Sequence, residues 1–492
     1  MRYNETWKLD LKTATDEERG KPLPIIQCHM KQSKTKATGI ERLARQITIM
    51  NQKALSGHAL HAARLCLLDT LGVGIYGSSQ PETEQLLQSL RRFGTGKVSV
   101  WGRRETLDAE SAALICGSLC HLRELDDVHY AILHTGCVCV PAAMATAELE
   151  HSSLGQLLRA IVNGVEVMSR ISLGMDYMDH RERGWHGTAT CGAFGAAAAA
   201  GYLLGLTEDQ LADALGTAGS RTGGTWAFSV DGAMSKRLHP GLAARDGLLA
   251  AYLAQAGVPG PHYVLEAEDG GFYRLFSREW DIERVLRNSE RLEIEQVEYK
   301  WFASCKSVHS PITAALQIYR DNLQRTPEEV SSILVEVNRS ALAMAGHSYE
   351  PDSVVSAQIS IPYGVALGLL GRPGQGADYA LDRLGDPMVR TLADRVKVVE
   401  SQEFNLLRQT EHLSGTRVTV EWNDGTRSVA VVKFAKGSIG DPLTEEDVIQ
   451  KYCGLTEGVL GRERSQKLME LILHGDTSIP VAQLVKLMTQ PL

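Results

Sequence analysis

From Gly187 to Thr207 the chain carries no charged residue and consists largely of Gly, Ala and Thr. A run of that kind is either a membrane span or the buried middle of a helical core. Small side chains contribute little to partition into a bilayer, but they let neighbouring helices approach closely. A central, buried helix over about Ala193–Leu206 is therefore expected rather than a span. At 492 residues the chain is also too long for one simple core, and roughly two to four domains are anticipated.

Helical spacing of apolar residues fits that frame over most of the first half. Ile40, Leu43, Ala44 and Ile47 share one helix face, as do Leu60, Ala63, Leu67 and Leu71. Further helices are expected at Glu82–Phe93, Ala109–Leu122, Val140–Glu150, Leu154–Leu173, Leu211–Gly219 and Ala243–Ala256. Thr207-Glu-Asp-Gln210 is a capping box for the fifth of these. Near residue 283 the pattern changes. Ile333, Val335 and Val337 alternate, Arg395–Val399 is a second candidate strand, and Arg417–Trp422 and Thr426–Val432 flank an Asn423-Asp-Gly425 turn, a hairpin signal. Helices at Ser310–Asn322 and Ser360–Leu370 lie between the strands, and helix resumes after Thr444 with acidic residues in its first turn. The fold class expected is mainly α with an inserted α+β lid. The divisions are a polar, Lys-rich tail at 1–38, a first helical segment at 39–282, the α+β domain at 283–440 and a closing helical segment at 441–492.

Charge is concentrated in one place. Glu124, Asp126, Asp127, His129 and His134 fall within a short stretch between the apolar runs Ala112–Leu122 and Cys137–Ala145. Buried charges are costly alone, so this stretch must face a cleft or be heavily paired. A net charge of −8 argues against a non-specific nucleic-acid binder. Nine cysteines, without CxxC spacing, indicate a reduced, cytoplasmic protein and no structural zinc. No secretory leader is read in the polar start of the chain. HExxH, GxSxG and GxxxxGK[ST] motifs are all missing from the sequence.

Four more polar groups remain. His186 sits beside Trp185 before the small-residue helix, and its bland reading is a structural histidine. Lys236-Arg237-Leu238-His239 leads into an apolar helix, where a solvated helix end is the plain alternative. Lys306 and His309 lie within Tyr299-Lys-Trp-Phe-Ala-Ser-Cys-Lys-Ser-Val-His and read equally well as a solvated helix start. Tyr363, at the head of an apolar helix, is by default a core residue. Carboxylates, imidazoles, lysines and a tyrosine together suit proton transfer next to a carboxylate, with cations holding an anionic substrate.

Taken in order, these motifs resemble the MmgE/PrpD family over about residues 40–475. The resemblance rests on Glu124-Leu-Asp-Asp with His134, Gly184-Trp-His186, Lys236-Arg-Leu-His-Pro-Gly-Leu-Ala-Ala-Arg245, Tyr299-Lys with Lys306 and His309, and Tyr363. It implies a site between helical domain and lid that uses no metal and no organic cofactor, in a homodimer. His134, His186, Lys236 and His309 would be catalytic. Asp126, Asp127, Lys306, Tyr363 and Glu124 would bind or orient the substrate. The implied activity is a cofactor-independent lyase that moves a proton α to a carboxylate of a small di- or tricarboxylate, with loss of water or CO2. An isomerase or epimerase, or a non-catalytic helical dimer of the same fold, are the alternatives; neither nucleic acid nor membrane is an expected partner. Many relatives begin the first motif with Asp where this chain has Glu124.

Overall fold

The uncharged run folds as the helix Gly187–Leu203, buried at every position from Gly187 to Gly201. Its small residues do what their size predicts. A Cβ added to Gly195 would lie 2.8 Å from the Gly164 carbonyl oxygen, and one on Gly192 would lie 2.8 Å from the Ala243 Cβ. The helices Leu154–Leu173 and Ser235–Gln255 therefore pack directly on its backbone. The same economy brings the helix Ala109–His121 against Ser235–Gln255, where Gly117 faces the Gly241 Cα. Close-packed backbones leave no slack, so side chains projecting from these helix ends have fixed positions.

The computed structural model describes residues 36–489 apart from 351–352, 373 and 412. The expected polar tail thus lies outside the described residues except at its last few positions. From Thr38 onward the chain forms one compact unit. Thr38, Ser153, Thr207 and Thr444 each cap a helix reciprocally with the Glu, Gln or Asp three residues on, including the box expected at Thr207. The helix Gly57–Ser78 is long and apolar enough to cross a membrane, but 78% of its apolar window is buried, and Gly72 packs on Tyr452 of the helix Glu445–Leu460.

Three helices begin earlier than periodicity suggests. Gly136–Leu149, Ser235–Gln255 and Lys306–Asp321 contain Pro141, Pro240 and Pro311 in their second turns. A proline there removes one N–H and frees the carbonyl four residues back. The first turn still forms, because its own N–H groups lack helical partners in any case. As a result Lys236, Arg237 and His239, and likewise Lys306 and His309, stand on helix rather than in the loops before it.

The strands assemble as expected from alternation. Val330–Val337 lies between Val396–Glu400, which it pairs in parallel, and Thr416–Trp422, which it pairs antiparallel. Thr416–Trp422 and Arg427–Val432 form the hairpin, with Glu421 opposite Arg427 and Gly425 at φ 82° in the turn. A mainly helical body with a smaller α+β part is thus the observed fold class. A separate two-residue ladder joins Val128–His129 to Val297–Glu298 and so ties the charged stretch to the segment before the α+β part.

Close helix approach predicts opposite signs for two glycine substitutions. A Cβ on Gly247 collides with the Ala193 carbonyl, whereas one on Gly454, inside Glu445–Leu460, meets nothing within 4 Å. Gly247→Ala should cost about 1–3 kcal/mol, and Gly454→Ala should gain about 0.5–1 kcal/mol. Urea midpoints measure both, and equal midpoints for the two variants would contradict the packing described.

Candidate active site

The helix Ala109–His121 stops at a stretch, residues 122–127, that has no regular backbone pairing. Glu124 adopts φ 54°, and Ile132, further along the same segment, φ 59°. Left-handed backbone costs a non-glycine residue about 1–2 kcal/mol, more when it is β-branched, and persists only where the surroundings enforce it. Here the enforcement is visible carbonyl by carbonyl. Arg237 donates to His121 O (3.1 Å), Gln358 to Arg123 O (2.8 Å), Lys300 to Glu124 O (3.1 Å) and Lys451 to Leu125 O (2.7 Å). The His134 ring closes the set at Asp127 O (2.7 Å). Lys451 is itself held by Asp69 at 2.6 Å, so the C-terminal helical segment reaches directly under the turn.

Glu124 is buried and meets three cations. Lys236 and Arg237 both donate to its Oε1, and Lys300 lies 3.2 Å from Oε2. Burial alone would raise this carboxyl, but the three cations overcome it and hold Glu124 well below the usual carboxylate range. Asp126 is buried beside it, 2.7 Å from His121 Nδ1, 3.3 Å from His134 Nδ1 and 3.7 Å from Lys300. The same competition leaves Asp126 ionised: burial pushes up, and His121, His134 and Lys300 pull further down.

The imidazoles form a chain across the site. His121 meets His134 edge-on at 4.8 Å and His186 at 6.1 Å, and the Nδ1 atoms of His186 and His239 are 2.9 Å apart, one donating to the other. Burial lowers all four. His134 falls to about 3 and His239 to about 4, and all are neutral at neutral pH. Lys236 is pulled below its ordinary value by burial, against Glu124, while Lys300 is raised because Glu124 and Asp126 outweigh its burial. Lys236 is therefore the ammonium group that releases its proton more readily. His134 keeps 15% side-chain exposure where Glu124, Asp126, Lys236 and Lys300 keep 4% or less, so it is the imidazole at the opening.

His121, Asp126 and His134 offer ligand atoms within 4.8 Å of one another. A divalent cation would enter there beside Lys236, Arg237 and Lys300, with Asp126 already engaged by His121. Two imidazoles and a carboxylate are donors that a transition metal accepts, but the three cations beside them favour an anion there.

The expected site residues separate into two groups. Glu124, Asp126, His134, His186 and Lys236 come together. Asp127 lies next to them but accepts from Thr135 Oγ1 (2.6 Å) and Gly136 N (3.0 Å), fixing the start of Gly136–Leu149 rather than pointing to the opening. Three others have hydrogen-bond partners outside that cluster, although Lys306 and His309 stay in electrostatic reach of Lys300. Lys306 bonds Gly437 O (2.7 Å) and Glu298 (3.0 Å); His309 directs Nε2 to Ser304 O (3.2 Å) with Nδ1 unpartnered. Tyr363 donates to Asp378 O (2.6 Å) between Tyr349 and Tyr379. Beside the expected residues the structure adds His121, Arg237, His239, Lys300 and Gln358 to the cluster. Arg237, His239 and Lys300 lie inside motifs visible in the sequence. His121 carries no such signal, as one histidine at the end of an apolar run.

Two family models cover the chain: the MmgE/PrpD N-terminal domain matches residues 41–285 and the MmgE/PrpD C-terminal domain residues 302–475. Among curated proteins, a cis-aconitate decarboxylase-like protein, oryM, of Aspergillus oryzae is 30% identical over 91% of this chain and 96% of its own length. The cis-aconitate decarboxylase of Aspergillus terreus is 30% identical, covering 88% and 92%. The 2-methylcitrate dehydratase of Salmonella typhimurium is 23% identical, covering 89% and 92%.

Neutral imidazoles in the folded state give a defined pH dependence. His134 at about 3 and His239 at about 4 compare with 6.5 in an unfolded chain. Between those values the unfolded state binds more protons, so this stability is complete above about 6.5 and lost as pH falls, by up to about 1.4 kcal/mol per pH unit for each ring. Burial pushes the Asp127 carboxyl up to about 7, which works in the opposite direction over the same window, so the imidazole contribution is read by difference: the urea midpoint of His239→Gln should fall less between pH 7 and about 5 than that of the unaltered protein. The same pH dependence in both proteins across that window would rule the assignment out.

Proposed function

The chain belongs to the MmgE/PrpD family, and on that premise we propose that it is a lyase, without metal or organic cofactor, that decarboxylates cis-aconitate or a close tricarboxylate analogue. The observation that carries this reading is the juxtaposition of Lys236, Arg237 and Lys300 with four neutral imidazoles at one buried turn. The relatives named decarboxylase are more similar to this chain than the dehydratase is.

In this reading the substrate's carboxylates face the cations around Glu124. CO2 leaves from the methylene carboxylate, and its bonding electrons form the new terminal double bond. The original double bond shifts out, and its CH carbon takes one proton. Atoms balance with a single proton consumed. That proton comes from Lys236 or from His134, which a bound polyanion makes more basic. Developing negative charge is met by donors fixed in advance, so little reorganisation is needed during the step. Glu124 and Asp126 do not contact substrate; they hold Lys236, Lys300 and His134 in place. Residues 283–440 act as the lid, and the protein works as a homodimer in the cytoplasm.

Turnover of cis-aconitate in D2O, followed by NMR, is the direct test. Methylenesuccinate carrying one deuteron is expected, and Lys236→Met and His134→Gln should each slow it by about 100-fold or more. Water addition or loss with citrate or 2-methylcitrate, and none with cis-aconitate, would favour a dehydratase instead. Absence of any reaction with all three would overturn the lyase.

A further inference from the structure

Arginines around the site normally have carboxylates. Arg237 has Glu124, Arg123 has Glu82 and Arg170 has Glu166. Arg181, on the short helix Tyr177–Glu182, has none among the described residues, although it is half-buried and its Nε lies buried without an acceptor. Its guanidinium carbon rests 3.7 Å from the centre of the Trp226 ring.

Trp226 is part of the site's wall. Its ring meets His186 edge-on at 5.4 Å, and its backbone N–H donates to Gly184 O (2.8 Å) while His186 N donates to Gly224 O (3.0 Å). Tyr177, one turn before Arg181, packs its ring next to Gly187, the residue after His186. Cys305 at the head of Lys306–Asp321 is in electrostatic reach of Arg181 and Tyr177 as well as of Lys236 and Lys300, which puts Arg181 in the neighbourhood of the Glu124 cations.

Stacking has a consequence for recognition. A guanidinium lying flat on an indole keeps its N–H groups in its own plane, and the Nε/Nη edge is the one that receives a carboxylate through two parallel bonds. The Nε of that edge is buried without a partner here. Charge accounting points the same way. Lys236, Arg237 and Lys300 are largely balanced by Glu124 and Asp126, which leaves about one positive charge for a substrate with three negative ones. Arg181 is the nearby cation that no carboxylate balances.

We propose that Arg181, held flat on Trp226, binds the substrate carboxylate farthest from the Glu124 cations and so selects tricarboxylates over dicarboxylates. The inference rests on the lyase reading above, and non-reacting ligands separate the two. Tricarballylate has three carboxylates and no double bond; glutarate has the same chain length and two carboxylates. By calorimetry, Arg181→Gln should weaken tricarballylate binding about tenfold to a hundredfold and leave glutarate unchanged. Arg181→Lys, which keeps the charge but not the fork, should fall between, and it decides the matter if the Gln variant does not fold. KM for cis-aconitate should rise in both with kcat changed less. Wild-type affinity for tricarballylate in either folded variant, or equal losses for both ligands, overturns the role of Arg181 alone. A wild-type protein that turns over cis-aconitate but binds neither ligand overturns this inference and leaves the lyase reading standing, whereas one that does neither overturns both.

Discussion

A carboxylate at the end of an apolar helix, in left-handed backbone and shielded from water, is unstable unless charge is brought to it. Glu124 has Lys236, Arg237 and Lys300 around it. Lys236 and Arg237 come from the first turn of one helix and Lys300 from a segment some sixty residues on, and each was taken out of water to get there. Removing one partner from such a knot leaves buried charge behind, typically a loss of about 3–5 kcal/mol, whereas the intact knot contributes little net stability. Its role is therefore geometric. The small-residue helices bring the donors close, and the knot fixes where the remaining polarity points.

That arrangement explains the opposite behaviour of neighbouring groups. Lys300 faces two carboxylates and is held charged; Lys236 shares its single carboxylate with Arg237 and is pushed towards neutrality. The imidazoles, one shell out, lack enough negative charge to offset burial and stay neutral. One turn thus carries fixed cations beside groups able to accept or release protons. This combination is what chemistry at a carbon next to a carboxylate requires.

Much of this was legible in the sequence where a local rule decides the outcome. The Thr207 box, the Asp-Gly hairpin and the small-residue helix depend on neighbours in the chain or on side-chain size alone. The charged stretch was legible as a heavily paired cluster because its density between apolar runs leaves few options. Helix starts were not. The expected starts at Val140, Ala243 and Ser310 lie beside or after a proline, yet a second-turn proline costs one bond and the helices begin at Gly136, Ser235 and Lys306. Tyr363, Lys306 and His309 carry suitable chemistry, but their hydrogen bonds go to Asp378, Gly437 and Ser304 carbonyls, a choice set by folding over distance. His121 was hidden for the converse reason: its significance lies wholly in Asp126 and His134, which reach it only after the chain turns.

Lys451 donates to Leu125 O across 326 residues of chain. At a synthesis rate of roughly 5–20 residues per second, the carboxylate turn leaves the ribosome about 15–65 s before the lysine that will brace it. Until then the strained backbone has no complete brace, and the segment lacks what would hold Glu124 and Asp126 in register. A chain cut short before residue 451 carries every imidazole of the site and still cannot set them. Assembly of the site therefore waits on synthesis well past the α+β part of the chain, to residue 451.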